Sequence, residues 1–322
     1  MDLEKVIYPL MVAFEEDIQK NNGPSHITDL IILTIKSLLP SEVIVRVDID
    51  YRRYKEELNL WKYYRNGDNP SLMNILESMK PNIYWKGKDN TLYYRLLPII
   101  LANKDFEAIK EEVIKNILFT TGNIETLIEG VLLSKIIHNL LLGKNDVIFG
   151  LKDEIINLSQ REFLEKYKEY FRIPIEEYES NFSVEFEQYK IYALNVLNQS
   201  YSNRFKILED CVEILLDNKE GNTTIGKYIN SYENGEINKK FQLDNHYKEL
   251  GVYVFNLRNG RIDPKLLKIH KYQLPDVFKF QQGEVFYHSL LNKAKVIKRE
   301  DIGEKVTIHL KTKSGIYRLV NN

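Results

Sequence analysis

Three carboxylates near the N-terminus of the chain could bind a hard cation or activate water. Glu15 and Glu16 lie late in the first amphipathic segment, and Asp29 follows Thr28 at the start of the next one. Oxygen ligands suit Mg²⁺, and a carboxylate that acts as a general base typically contributes ~10²–10⁴-fold to a rate. Asp29, Glu15 and Glu16 are therefore the candidate catalytic residues. The alternatives are a solvated acidic helix face at 15–17, and Thr28 as a helix cap beside an Asp29 that favours the helix dipole.

A succession of amphipathic helices is predicted for residues 1–250. Between 106 and 118, apolar residues recur every three to four positions, which is the spacing of one buried helical face. The segment 127–141 is apolar over a wider face, which predicts a central helix, and Gly143 is placed to end it. Further helices are predicted at 4–20, 28–39, 50–65, 71–79, 160–170, 184–199 and 203–217.

The pattern changes in residues 251–322, where short runs of β-branched and aromatic residues predict strands. These runs are 252–255, 284–288, 295–298, 306–310 and 316–320. Gly315 suits the left-handed position of a hairpin loop between the last two runs, and Pro264 and Pro275 bound a short predicted helix. The fold is therefore predicted to be mainly α, with a helical domain at 1–250 and a small β-rich appendage at 251–322.

The overall charge and the cysteine count disfavour several classes of partner and site. The 322 residues include 45 basic and 46 acidic side chains, and this net charge of −1 disfavours nucleic acid and anionic membranes as partners. No run approaches the ~18 apolar residues that span a bilayer, and the N-terminus does not resemble a secretory signal. The single cysteine, Cys211, excludes an intramolecular disulfide, and the six histidines lack zinc-ligand spacing. A cytoplasmic protein without a membrane segment is expected.

Two central segments carry a motif pattern. Residues 90–98 read Asn-Thr-Leu-Tyr-Tyr-Arg-Leu-Leu-Pro, and residues 120–123 read Thr-Thr-Gly-Asn. These segments resemble the centre of the ADP-ribosylglycohydrolase family, whose corresponding motifs are Asn-Gly-x-x-Met-Arg-x-x-Pro and Thr-His-x-x. Residues 28–31 resemble the family's first metal motif, Thr-Asp-Asp-Thr, but read Thr-Asp-Leu-Ile. Residues 221–224, Gly-Asn-Thr-Thr, stand in place of the second motif, Asp-x-Asp-Thr, and lack its aspartates.

The resemblance implies the family's compact all-α domain, with a cleft at the starts of several helices. The cleft residues that it implies are Thr28, Asn90, Arg95, Thr120, Thr121, Gly122, Asn222 and Thr224. Helix starts suit anions, so an ADP-ribose or nucleotide-like ligand is implied even without a metal. Most aspartates that hold the family's two magnesium ions are missing, so no metal site and no cofactor are expected unless the protein is a divergent enzyme that uses magnesium. For Arg95, the alternative is a structural arginine that pairs with a helix end or a carboxylate.

The resulting expectation is a catalytically inactive, ADP-ribosylglycohydrolase-like protein. It would act by binding an ADP-ribose or nucleotide-like ligand, or by binding a protein partner through residues 251–322. Two alternatives stay open. One is a divergent active hydrolase that uses Asp29 with Glu15 or Glu16, and the other is a helical interaction protein with no ligand cleft.

Overall fold

The computed structural model describes residues 2–89, 91–144, 146–217, 219–237 and 240–321. Within these ranges the fold is mainly α with a small C-terminal β-sheet, as the sequence predicts. None of the helices found there combines the length and the apolar character that crossing a bilayer requires. The α-helices are α1 (Leu3–Asn21), α2 (His26–Ser37), α3 (Tyr51–Trp61), α4 (Pro70–Glu77), α5 (Pro81–Lys86), α6 (Leu92–Ala102), α7 (Phe106–Thr120), α8 (Ile124–Leu142), α9 (Val147–Asn157), α10 (Gln160–Tyr167), α11 (Phe182–Leu197), α12 (Lys206–Asp217), α13 (Thr224–Glu233) and α14 (Asn245–Arg258).

Most of these helices begin at a residue whose side chain caps them. A side-chain oxygen of the capping residue accepts a hydrogen bond from a backbone N–H of the first turn, which typically contributes ~1 kcal/mol. This capping occurs at Ser25, Asp50, Asn69, Asp105, Asn123, Asp146, Ser159, Asn181 and Thr223. The starts of the helices are thus encoded locally, by short polar residues in front of apolar periodic segments.

Helix α8 lies at the centre of the helical core, as predicted. It packs against α6, α7, α9 and α11, and its residues Ile128 and Val131 are fully buried. Gly130 allows the close approach of its neighbours, because a Cβ there would lie 2.6 Å from the Ile117 side chain. The helix ends at Gly143, whose φ of 70° lies in the left-handed region that favours glycine.

Six strands form two antiparallel sheets among the described residues. They are β1 (Leu38–Pro40), β2 (Val47–Ile49), β3 (Val285–His288), β4 (Asn292–Ile302), β5 (Lys305–Thr312) and β6 (Gly315–Asn321). Strands β1 and β2 form a hairpin inside the helical part that the sequence did not predict. Strands β3 to β6 form the C-terminal sheet, in which each strand pairs with the next. The turn between β5 and β6 is the predicted hairpin, and Gly315 has a φ of 131°.

The C-terminal sheet packs on the end of α3. Leu60 of α3 belongs to the same apolar cluster as the inward side chains of the sheet. Just beyond α3, the backbone N–H of Val320 donates to the carbonyl of Tyr63 over 2.8 Å. The rings of Tyr64 and Tyr317 meet edge to face with centroids 5.2 Å apart. The sheet is therefore attached to the helical part through apolar, aromatic and backbone contacts.

The prediction of a strand at 252–255 is wrong, because these residues lie within α14. The buried positions of this helix include Tyr247, Gly251 and Val254, which recur at helical spacing. Gly251 sits against α1, where a Cβ would lie 3.1 Å from Ile7. Packing thus overrides the strand propensity of the run. The predicted domain boundary at 250 falls inside the same helix.

The helix predicted between Pro264 and Pro275 is also different in the structure. The chain there forms a short 3-10 helix at Pro264–Leu266, and a second one follows Pro275 at Val277–Lys279. In the second, Val277 and Phe278 belong to the core of the C-terminal sheet.

Candidate functional site

The side chain of Arg95 lies inside the helical core and is held there by a network of polar partners. It is fully buried on α6 and forms an ion pair with Asp89, which is also buried. Its guanidinium donates to Asn116 Oδ1 over 2.6 Å, to Thr120 Oγ1 over 3.1 Å and to the Tyr54 hydroxyl over 3.3 Å. The structure thus agrees with the alternative of a structural arginine paired with a carboxylate.

Asp89 completes this network at the start of α6. Its carboxylate accepts hydrogen bonds from the backbone N–H of Thr91 over 2.9 Å, from the Thr91 hydroxyl over 2.8 Å and from Asn69 Nδ2 over 3.0 Å. Burial alone would raise the pKa of Asp89, but the charge of Arg95 and these hydrogen bonds hold that pKa below its ordinary value. The carboxylate is ionised and fully engaged with protein groups. Asn90, a predicted cleft residue, lies outside the described residues.

A second buried carboxylate, Asp17, occupies the start of α2. Its oxygens accept from the backbone N–H of Ser25 over 2.9 Å, from the Ser25 hydroxyl over 2.5 Å and from the Thr28 hydroxyl over 2.7 Å. Ser25, and not Thr28, caps this helix by accepting from the N–H of Ile27. The interpretation of Thr28 as the cap is therefore wrong. Its hydroxyl donates to Asp17, and because Asp17 and Glu15 are buried, the interpretation of 15–17 as a solvated acidic face is also wrong.

A third carboxylate, Asp210 of α12, occupies the start of α13 in the same way. It accepts from the backbone N–H groups of Asn222 and Thr223 over 3.0 and 2.9 Å, and from the Thr223 hydroxyl over 2.6 Å. Thr223 caps α13, while the hydroxyl of Thr224 meets that of Tyr94 at 2.8 Å. At three helix starts, an anionic side chain of the protein already occupies the position that would attract an anion.

Thr120, Thr121 and Gly122 lie where α7 ends and the chain turns into α8. The Thr121 hydroxyl has a single proton and lies within hydrogen-bond distance of two backbone carbonyls, those of Tyr84 and Gly87, at 2.9 and 2.8 Å. Gly122 N–H donates to the carbonyl of Tyr84 over 2.9 Å, and a Cβ on Gly122 would lie 2.5 Å from the ring of Trp85. The two threonines are fully buried. These predicted cleft residues thus hold backbone and do not present side chains to a ligand.

The three candidate catalytic carboxylates contact different parts of the molecule. Asp29 accepts from Trp61 Nε1 over 3.3 Å, and burial raises its pKa to about 6. Glu15 accepts from the backbone N–H of Gln242 over 3.0 Å. Glu16 forms ion pairs with Lys20 and with Lys227 of α13, 3.1 and 2.6 Å away. Among the residues that the structure describes, no group of three or more His, Cys, Asp and Glu side chains is placed to hold a metal.

An open groove lies beside the buried network, over the first turns of α8. It consists of two adjoining cavities of about 560 and 260 Å³ that share Lys88, Glu125 and Arg204. The smaller cavity reaches Asp89, but none of the predicted cleft residues that the structure describes lines either cavity. The side chains of the groove that contribute charge or an aromatic ring are Trp85, Lys86, Lys88, Asp89, Glu125, Glu129, Glu177, Tyr178, Glu179, Glu185, Tyr189, Arg204 and Lys206.

An ion pair, a partly buried acid and an arginine lie over the first turns of α8. Lys88 pairs with Glu125 in the first turn of α8. One turn later, Glu129 accepts from the backbone N–H of Leu208, and burial raises its pKa to about 7. The guanidinium of Arg204 lies 4.7 Å from the centre of the Tyr192 ring. The groove is lined by four cations and six carboxyl groups, so a ligand with negative charge could be held only locally, beside Lys88, Arg204 and Lys206 in the smaller cavity.

The groove residues were not identified from the sequence, although one signal was present. Glu125 and Glu129 are four positions apart in a mostly apolar helix, so they lie on the same face near its start. Lys88 and Arg204 gave no such signal, because only the fold brings them together.

No protein-family model matches the chain, and no curated protein matches it significantly. The likeness to ADP-ribosylglycohydrolases accordingly rests on the residues quoted above.

Proposed function

We propose that this protein is a catalytically inactive, ADP-ribosylglycohydrolase-like binding protein, and that an ADP-ribose or nucleotide-like ligand occupies the groove over α8. The observation that carries this proposal is the use of Asp17, Asp89 and Asp210 within the fold. Each carboxylate bonds to backbone N–H groups and hydroxyls at the start of a helix.

Hydrolase chemistry with two magnesium ions needs carboxylates that are open to a cleft. The ions take oxygen ligands and generate the attacking hydroxide. Releasing a carboxylate such as Asp17 to a metal would leave several buried donors unsatisfied, at a cost of about 1–3 kcal/mol for each donor. These carboxylates therefore support a structural role at the helix starts.

Ligand binding is supported by the composition of the groove. Lys88 and Arg204 can approach phosphate oxygens, and the partly buried ring of Tyr189 offers a face for a base. The start of α8 adds the positive end of a 19-residue helix, and Asn123 caps it with a bond to the N–H of Thr126 over 2.9 Å. The buried free thiol of Cys211 fits our further proposal that the protein resides in the reducing cytoplasm.

Thermal unfolding with ADP-ribose, with and without magnesium, tests this proposal. A ligand at 100 times its Kd stabilises the native state by about 2.7 kcal/mol, so a saturable rise in Tm is expected without magnesium. Arg204→Ala should reduce that rise. Arg161→Ala is the matched control, because Arg161 is 87% exposed on α10, outside the groove.

The possible results separate the alternatives. A rise in Tm that requires magnesium would contradict the proposal of a catalytically inactive protein and would support a divergent hydrolase. If ADP-ribose does not raise the Tm, the proposal that it is a ligand is contradicted. A helical interaction protein that binds protein partners would then be favoured, with residues 251–322 as the proposed contact region. An equal rise in the Arg204→Ala variant would place the ligand outside the groove.

One observation favours the divergent hydrolase as a second candidate. Asp29 has a pKa of about 6, raised by burial, and a carboxyl in this range can act as a general base near neutral pH. Any hydrolysis of an ADP-ribosyl bond by this route should be lost in Asp29→Asn. Activity that survives in this variant would exclude Asp29 as the base.

A further inference from the structure

The two parts of the chain carry opposite charge. Residues 259–322 contain 13 basic and 6 acidic side chains, whereas residues 1–258 contain 32 basic and 40 acidic ones. The formal charges are thus +7 and −8, and they cancel in the net charge of −1. A charge asymmetry of this size points to an anionic partner for the basic part.

The excess positive charge is concentrated on one face of the C-terminal sheet. Alternate side chains of β3 to β6 point inward and are buried, among them Phe286, Val296, Ile308, Leu310 and Leu319. The intervening residues point outward. The basic face, as we name it, consists of Lys293, Lys295, Lys298, His309, Lys311 and Arg318.

The register of the strands places like charges side by side on the basic face. Lys295 lies directly opposite Lys311 across β4 and β5. In the next row, His309 lies between Lys298 and Arg318. Like charges in directly opposed cross-strand positions destabilise a sheet. An anionic partner that bridges them would remove this repulsion.

Little negative charge from the protein offsets these cations. On the same face, Glu300 pairs with Lys298 over 2.8 Å. The neighbouring Asp301 pairs with Arg299, whose guanidinium also donates to the carbonyl of Phe280 on the inner side of the sheet. The row that joins Lys295 to Lys311 contains no acidic residue in the described register.

The chemistry of the basic face suits a chain of phosphates better than a protein surface. The centres of protein–protein interfaces are depleted in lysine, whereas lysine side chains are at the centre here. Strands about 4.8 Å apart present these cations in closely spaced rows. Tyr287, 54% exposed beside Lys293, offers a ring on which a base can stack. We propose that the basic face of the C-terminal sheet binds single-stranded nucleic acid.

This proposal is independent of the ligand in the groove over α8, and it departs from the expectation drawn from the net charge of the whole chain. Binding of a fluorescent oligothymidine of roughly 20 nucleotides to the full chain tests it, by anisotropy at salt concentrations of about 50 to 200 mM. Five phosphate contacts at about 0.7 counterions each predict a loss of roughly 100-fold in affinity over this range.

The double variant Lys295→Gln, Lys311→Gln should reduce the salt slope by about 1.4 and weaken binding. Its Tm should not fall, because the change removes opposed like charges. The matched control is Lys104→Gln, Lys144→Gln, which removes two exposed lysines from the helical part and should bind like the unmodified protein.

Three results would overturn the proposal. The first is no binding at about 50 mM salt, where electrostatic contacts are strong. The second is equal loss of affinity in the two double variants, which would show a non-specific charge effect. The third is tighter binding of polyglutamate than of an oligonucleotide with the same number of charges, which would assign the face to an acidic protein.

Discussion

Replacing Arg95 by methionine should destabilise the fold strongly, because the substitution leaves Asp89 as a buried carboxylate without its counter-ion. Both side chains are fully buried. Breaking a buried ion pair by removing one partner typically costs about 3–5 kcal/mol, which is a large share of a total stability of about 5–15 kcal/mol. We expect the free energy of unfolding of the Arg95→Met variant to be lower by this amount at neutral pH. Urea unfolding followed by circular dichroism measures it.

The loss should depend on pH in a defined direction. In the native protein the pKa of Asp89 is held below its ordinary value, so its contribution to stability is lost as the pH falls through that lowered pKa. Without Arg95, burial dominates and raises the pKa of Asp89, so protonation relieves the unpaired charge. The difference in unfolding free energy between the two proteins should therefore be largest near pH 7 and should shrink toward pH 4.

A second substitution distinguishes the ion pair from general damage to the core. Asp89→Asn combined with Arg95→Met removes both charges and should recover a large part of the lost stability, because replacing a whole buried pair is often nearly neutral. The reasoning would be refuted if Arg95→Met lost less than about 1 kcal/mol, the typical worth of an exposed pair. Arg95 would then be available to a ligand, as the resemblance implies.

Three further predictions follow from other contacts. Asp17→Asn should lower stability by at least about 1–3 kcal/mol without changing any ADP-ribose binding, because an amide nitrogen would face the donors of Ser25 and Thr28; unchanged urea unfolding would contradict this. The pKa of Glu129 is raised from 4.5 to about 7, so ionisation of this side chain lowers the free energy of unfolding as the pH rises through this window. At pH 8 the Glu129→Gln variant should therefore be more stable than the unmodified protein, by up to about 3 kcal/mol. A lower Tm of the variant at pH 8 would refute the raised pKa. Leu60→Ala should cost about 2–5 kcal/mol and speed hydrogen exchange in the C-terminal sheet more than in α8; uniform acceleration would show that the sheet is not held through α3.

Local patterns predicted those parts of the fold in which one segment carries its own signal. The wide apolar face of α8 and the glycine that ends it were readable from the sequence, and so was the hairpin that contains Gly315. The strand predicted at 252–255 failed, because tyrosine, valine and phenylalanine have strand propensity while the packing of α14 on α1 decides the outcome.

The candidate site depends on contacts between distant residues, which the sequence does not specify. Asp210 meets the start of α13, and Lys88 meets Arg204 at a groove, only after the chain has folded. The motif likeness placed Arg95 and Thr121 near helix starts, but it could not show that both side chains hydrogen-bond to protein groups inside the core. The opposite charges of residues 1–258 and 259–322 can be counted from the sequence, but the net charge of the whole chain does not show them because they cancel.

The most direct test of the central claim is an assay of ADP-ribose release. Peptides carrying ADP-ribose on arginine or on serine would be incubated with the protein and saturating magnesium, and free ADP-ribose would be quantified by mass spectrometry. If Asp17, Asp89 and Asp210 serve the helix starts, no release above the protein-free control is expected. Release that depends on magnesium and stops on chelation would contradict the claim of an inactive binding protein.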